Sequence, residues 1–260
     1  MTEPLSPDPA TPYDRRSELE AILLADDTLL GRVYRHDLAG LTPTEIATEE
    51  HNENVGFVYN YRTQLRAILD EEVPNSSNIS LQSSRRVRKW LRTKPLSPEL
   101  KADLERLEVQ LSVKGDDVVA QMHEAEIAVK VSEAAEAKGT PGIYVYTLPH
   151  YRRYPVDPDT GKTLLKVGHS SVDVYYRAGS AGRLTALPED PILLRIYPVS
   201  DSAAKEKEFH AWLRDADHVG TRTGRAGSEW FLTSTKFVDR VARSLGLDVQ
   251  VVNDLDVAEG

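Results

Sequence analysis

The chain has 260 residues, a length that accommodates two domains of ordinary size or one large domain. Its composition is 40% hydrophobic and 28% charged, which is typical of a globular protein, and its net charge of −9 argues against coating nucleic acid through bulk positive charge. The absence of cysteine excludes disulfides, iron–sulfur clusters, cysteine nucleophiles and zinc sites with cysteine ligands.

The first 138 residues divide into a proline-rich lead and a long helical region. Residues 1–14 are expected to be disordered, and without an apolar segment they do not resemble a signal peptide. No run of about 18 apolar residues occurs, so we expect a cytoplasmic protein with no membrane span. The apolar spacing in the region 15–138 predicts helices over 18–30, 42–51, 55–69, 81–93, 100–113 and 116–137, with a loop over 73–80.

The character of the sequence changes near Gly139, where we place a domain boundary. β-branched and aromatic residues predict strands over 142–148, 164–168 and 192–199, and a short extended segment over 229–232. Helices are expected over 203–216 and 236–245, and residues 248–260 form an acidic tail. The predicted fold class is α+β, with an all-helical region followed by a small domain (139–247) whose central three-stranded mixed or antiparallel sheet is flanked by helices.

Four short motifs in the second domain occur in a fixed order. They read Gly142-Ile143-Tyr144, Lys166-Val167-Gly168-His169-Ser170, Glu206-Lys207-Glu208-Phe209-His210 and Glu229-Trp230-Phe231, with Arg177 after the second. Together they resemble the GIY-YIG nuclease superfamily, in particular its phage T5-type branch, where Lys-Ile/Val-Gly replaces the second tyrosine motif. The resemblance covers roughly residues 140–235 and implies a GIY-YIG-like nuclease domain.

The resemblance assigns roles that suit phosphodiester hydrolysis, which needs a base for water, a cation and a positive group for developing charge. Tyr144 would orient or deprotonate water, and Glu206 would hold Mg²⁺ (or Mn²⁺), a hard cation that prefers carboxylate oxygen. Arg177 could grip a phosphate through two hydrogen bonds. Lys166, in place of the second tyrosine, could contact the phosphate or lower the pKa of a nearby phenol.

Two histidines are further candidates for the same site. His169 is a candidate proton carrier, or a polar surface residue. His210 shares a helix face with Glu206, whereas Glu208 points to the opposite side and should be solvated. His210 would act in acid–base chemistry or simply bond a backbone group.

The helical region contains a segment that resembles a helix-turn-helix, formed by residues 41–47 and 55–62. Its second helix would present Asn60, Arg62 and Gln64 to the major groove, where such side chains can pair with adenine and guanine. A helical pair with a purely structural role is the alternative.

Residues 85–94 contain six cations and no acid. Val87, Trp90 and Leu91 form an apolar stripe, so the cations are expected on the other face, where they would follow a phosphate backbone or be merely solvated. These candidate DNA contacts are Arg85, Arg86, Arg88, Lys89 and Arg92. The acidic helices over 99–136 indicate either a spacer or a dimerisation bundle, and a bundle would form a homodimer through the helical region.

These features lead to a hypothesis of a Mg²⁺-dependent DNA endonuclease that the helix-turn-helix directs to its target. The alternative is a non-catalytic DNA-binding regulator whose nuclease-like module is degenerate. A third class, a structural or protein-interaction module, predicts no salt-dependent affinity for DNA.

Overall fold

The computed structural model describes residues 13–51, 54–157, 160–170, 190–218 and 229–255. Within these residues the chain is α+β, as predicted, and seven helices precede the first strand. Their bounds are α1 Arg15–Leu24, α2 Leu29–Leu38, α3 Pro43–Glu49, α4 Gly56–Asp70, α5 Ser77–Thr93, α6 Pro98–Gly115 and α7 Val118–Glu136. Arg177, a candidate phosphate ligand, lies outside the described residues.

Capping side chains fix where these helices begin. A capping box begins α3, because the Thr42 side chain accepts from the Glu45 backbone N–H while the Glu45 carboxylate accepts from the Thr42 backbone N–H. The loop predicted over 73–80 is shorter than expected. Ser76 is the N-cap of α5, and the Glu124 carboxylate of α7 accepts from Ser77 backbone N–H and both serine hydroxyls. That carboxylate comes from 47 residues away, so local pattern could not reveal it.

The single helix predicted over 18–30 was wrong, because the chain folds there into two helices, α1 and α2. Asp26 interrupts the helix, since its carboxylate accepts hydrogen bonds from the backbone N–H and hydroxyl of Thr28. Gly31 permits the turn, because a Cβ at that position would lie 2.0 Å from the Asp26 carbonyl oxygen.

The second half of the chain builds an antiparallel sheet with the order β4-β2-β1-β3-β5. Its elements are β1 Gly142–Thr147, α8 Pro149–Arg153, β2 Thr163–Ser170, β3 Ile192–Pro198, α9 Ser202–Asp215, β4 Trp230–Thr233, α10 Thr235–Ser244 and β5 Gln250–Val251. Five strands rather than three are present among the described residues. Strand β5 has only two residues, too few to show an alternation of apolar and polar side chains. It lies in the segment predicted as an acidic tail, where Leu255 is also buried.

Alternating side chains of the sheet enter two different layers. Ile143 and Val145 pack with Phe209 of α9 and Val238 of α10 in the main core of this half. Tyr144 points to the other layer, where it packs with buried apolar residues of β3. A separate core lies within the helical region, so each half buries its own apolar residues.

A buried arginine joins the two halves. Arg153 of α8 donates hydrogen bonds to the Ser77 hydroxyl at 3.1 Å, to Asn78 Oδ1 at 2.7 Å and to the Gly115 carbonyl oxygen. Arg85 of α5 in turn donates to the Arg153 carbonyl oxygen. Satisfied polar groups at this junction hold α5 and α6 against the sheet domain. No helix of the described residues is long and apolar enough to cross a membrane.

Candidate functional site at the edge of strand β2

The described part of β4 pairs with β2 only as far as Lys166, and the Glu229 carbonyl oxygen then accepts from Val167 N–H. Beyond this point, Gly168, His169 and Ser170 have β1 as their only strand neighbour in the described part of the chain. Chemically capable side chains of α9 gather at this edge of the sheet. We define the β2-edge cluster as His169, Ser202 and Glu206.

Hydrogen bonds fix the orientation of the imidazole in the cluster. The Ser202 hydroxyl donates to the Ser170 carbonyl oxygen at 3.1 Å, so it can accept from His169 Nδ1, which lies 3.3 Å away. His169 Nε2 then lies 3.5 Å from Glu206 Oε2. A proton taken up at Nε2 would form an ion pair with Glu206, so the arrangement suits a proton carrier.

Glycine leaves room beside the Glu206 carboxylate. A Cβ built on Gly168 would lie 3.9 Å from Glu206 Oε1 and would meet no other heavy atom of the described residues within 4 Å. No described residue therefore fills the space between Gly168 and the carboxylate. A hard cation that keeps most of its waters needs only one or two carboxylates, and Glu206 fits that donor set. The described residues contain no group of three or more His, Asp or Glu that could form a metal cage.

The helical spacing of α9 places its polar side chains as predicted. Glu206 is largely buried, whereas Glu208 is exposed and pairs with Lys205 at 2.8 Å. His210 donates from Nε2 to the Val167 carbonyl oxygen at 2.9 Å, and its ring packs on Phe231. A bond to a backbone group was the alternative to an acid–base role for His210, and the structure shows such a bond. It connects α9 to β2.

Tyr144 lies in a different environment from the β2-edge cluster. Its side chain is buried, its ring stacks on Tyr146, and its hydroxyl donates to the Thr140 carbonyl oxygen. Tyr146 in turn donates to Glu136 of α7 at 2.9 Å. Burial raises the pKa of Tyr144 to about 12, with a further contribution from Glu136. The phenol therefore holds its proton at neutral pH in this arrangement.

The buried phenol also predicts a loss of stability in alkali. An exposed tyrosine of the unfolded chain titrates near 10, below the folded-state pKa of Tyr144 of about 12. Neutral Tyr144 stabilises the fold fully below about pH 10, and this stabilisation is lost as the pH rises towards about 12. We expect Tyr144→Phe to flatten that part of a plot of unfolding free energy against pH, measured by urea denaturation. Parallel plots for the two proteins would contradict the buried placement.

Lys166 is engaged by an acid of the late Glu-Trp-Phe motif. Its Nζ lies 3.3 Å from Glu229 Oε2, and both side chains are partly exposed. Register places Lys166 opposite Tyr146, on the sheet face that carries Tyr144 rather than on the face of His169. The structure thus brings His169 and Glu206 together, and the strand register places the side chain of His169 on the opposite face of the sheet from that of Tyr144.

Two residues expected to contact DNA are buried instead. Gln64 is 1% exposed, and its Nε2 donates to Gln82 Oε1 of α5. Arg86 is 5% exposed and donates to the Thr28 hydroxyl, with Asp26 3.8 Å away. The expected exposure of both side chains was wrong, because α4 and α5 pack on other helices through these faces, and that tertiary packing leaves no local signal.

The remaining candidates for DNA contact differ in exposure. Arg62 forms a two-nitrogen contact with Asp37, whereas Asn60 is exposed and lines a cleft facing α10. Arg88 is exposed and pairs with Glu108, and Arg92 is exposed near the end of α5. Lys89 and Arg85 are partly buried. The cations of α5 therefore do not form one continuous basic face.

Comparison with protein-family models, with curated proteins and with solved structures finds no match for this chain. Sequence reasoning singled out His169 and Glu206 but not Ser202, which orients the imidazole. A serine at the start of a helix is typical of a capping residue. The hydrogen bond of Ser202 with β2 joins residues 32 positions apart, so the local sequence does not indicate it.

Proposed function

We propose that the chain is a Mg²⁺- or Mn²⁺-dependent DNA endonuclease that hydrolyses phosphodiester bonds at the β2 edge. The observation that carries this proposal is the pairing of Glu206 with His169 beside Gly168, where no other described residue fills the space next to the carboxylate. Glu206 would hold the cation, which when bound supplies charge neutralisation at the phosphate. His169, oriented by Ser202, would exchange a proton with water or with the leaving oxygen.

DNA would reach the site through cations on the surface of the chain. The exposed guanidinium groups of Arg88 and Arg92 support phosphate contacts in the helical region, and Asn60 supports a contact from α4. With a net charge of −9, binding should come from such local groups, so affinity would fall as the salt concentration rises.

A second candidate function is non-catalytic DNA binding by a degenerate nuclease-like module. The observation that favours it is the hydrogen bond that the Tyr144 hydroxyl donates to the Thr140 carbonyl oxygen, together with the raised pKa of that phenol. This candidate predicts salt-dependent DNA affinity with no metal-dependent strand cleavage.

Substitution of Glu206 tests the first candidate. We expect wild-type protein to nick supercoiled plasmid with Mg²⁺ or Mn²⁺ but not with chelator, and Glu206→Ala to slow nicking by about 100-fold or more, since a catalytic cation contributes several kcal/mol. Gel electrophoresis of timed samples measures the rates. Glu208→Ala is the matched control on the exposed side of α9, and it should nick at the wild-type rate.

DNA affinity, measured at two salt concentrations, separates the alternatives. Glu206→Ala should bind DNA as tightly as wild type, because the carboxylate contributes to cleavage rather than to attraction. Binding without nicking by wild type would favour the non-catalytic candidate. A wild-type protein that neither binds DNA nor nicks it would contradict both candidates.

A further inference from the structure

Helix α7 carries large apolar side chains on the side that faces solvent. A helix that packs on a sheet ordinarily keeps its apolar residues on the packed side. Here the packed side of α7 instead uses Ala128 and Ser132, which are buried against β3. The exposed fractions on the outer side are 78% for Val119, 62% for Met122, 48% for Ile127 and 39% for Val131.

Further exposed apolar residues lie at the start of α7 and near the end of α6. Val118, at the start of α7, is exposed, as are Val109 and Val113, which lie one turn apart on α6. From their exposed fractions, the four outer residues of α7 present on the order of 400 Å², half of the roughly 800 Å² that each partner buries in a stable dimer. Exposed apolar surface of this size marks an interaction site.

The charges on the outer side of α7 complement a second copy of the same helix. Glu126 and Lys130 are both exposed and lie one helical turn apart, on the line that also carries Val119. When two α7 helices pair antiparallel about a two-fold axis near Ala128, Glu126 lies opposite the partner's Lys130, and the reciprocal contact forms as well. The same axis places Ile127 within about two residues' rise, roughly 3 Å, of the level of the partner's Val131.

We propose that the chain forms a homodimer through the outer side of α7, in which the two copies of the helix run antiparallel. Each copy contributes the same apolar residues, and two Glu126–Lys130 pairs fix the direction and register. A parallel pair would set Glu126 against Glu126 and Lys130 against Lys130, which like-charge repulsion disfavours. The proposal concerns assembly alone and holds whether or not the β2 edge cleaves DNA.

Charge exchange on full-length protein tests the arrangement. Sedimentation velocity over a range of concentrations should show a dimer for wild type. Glu126→Lys and Lys130→Glu should each raise the dissociation constant by about 10-fold or more, because each places like charges together at two symmetric contacts. The double variant Glu126→Lys/Lys130→Glu should restore the wild-type constant, since both pairs re-form with opposite polarity.

An apolar substitution with a matched control tests the same surface. Ile127→Glu should give a monomer, whereas Leu24→Glu, which changes a similarly exposed residue of α1, should leave the dimer unchanged. Circular dichroism verifies that each variant keeps its helices. A wild-type monomer at all concentrations would overturn the proposal. A dimer that the double charge exchange fails to restore would overturn the antiparallel arrangement.

Discussion

Asp239→Ala is expected to lower the free energy of unfolding by about 3–5 kcal/mol, the cost of breaking a buried charge pair by removing one partner. Asp239 accepts from Arg195 Nε at 3.2 Å and from the Tyr197 hydroxyl at 2.7 Å. Both partners are buried beneath α10, so the substitution leaves a guanidinium and a phenol without this acceptor in the core. Urea denaturation of wild type and variant measures the difference.

Two controls separate the lost charge from the lost contacts. Asp239→Asn keeps an acceptor for Tyr197 and should lose less stability than Asp239→Ala. Asp215→Ala changes an exposed acid at the end of α9 and should shift the unfolding free energy by under about 0.5 kcal/mol. A loss under about 1 kcal/mol for Asp239→Ala would show that Asp254, which also contacts Arg195, suffices to hold the guanidinium.

Local chemistry made much of this fold predictable. The Thr42–Glu45 capping box, the proline at position 98 and the β-branched run of β1 each place an element within a few residues, because their signals depend on neighbours in sequence. The same holds for the division between a helical half and a sheet half. In the candidate site, the i,i+4 spacing of Glu206 and His210 correctly distinguished them from solvated Glu208.

Contacts between residues that are far apart in sequence determined the features that the sequence pattern did not reveal. Gln64 and Arg86 are polar and lie on helices, so pattern favours exposure, yet neighbouring helices bury both. The outer side of α7 shows the converse, with Ile127 exposed where apolar character favours burial. Tyr144 and His169 come from motifs expected to meet, and strand register sets their side chains on opposite faces of the sheet. Which of these side chains are buried, exposed or brought together depends on how the helices and the sheet pack in the folded chain.

Phe209→Ala is the substitution expected to affect both stability and the β2-edge cluster, because Phe209 anchors α9 to the sheet. Its ring is completely buried and stacks on Tyr197, with centroids 5.3 Å apart. Truncation leaves a cavity beneath α9, and we expect a loss of about 3–5 kcal/mol in the free energy of unfolding. Thermal and urea denaturation measure that loss.

The Phe209 variant also tests whether the position of α9 matters to the site. Because α9 carries Glu206 and His210 over β2, a shift of the helix should weaken the His210–Val167 hydrogen bond and move the carboxylate from Gly168. Phe209→Leu fills most of the space and should retain both stability, within about 1.5 kcal/mol, and plasmid nicking. Equal nicking by Phe209→Ala and wild type, at a temperature where both are folded, would show that the cluster tolerates displacement. Reduced nicking by Phe209→Ala but not by Phe209→Leu would show that cleavage depends on the position of α9 on the sheet.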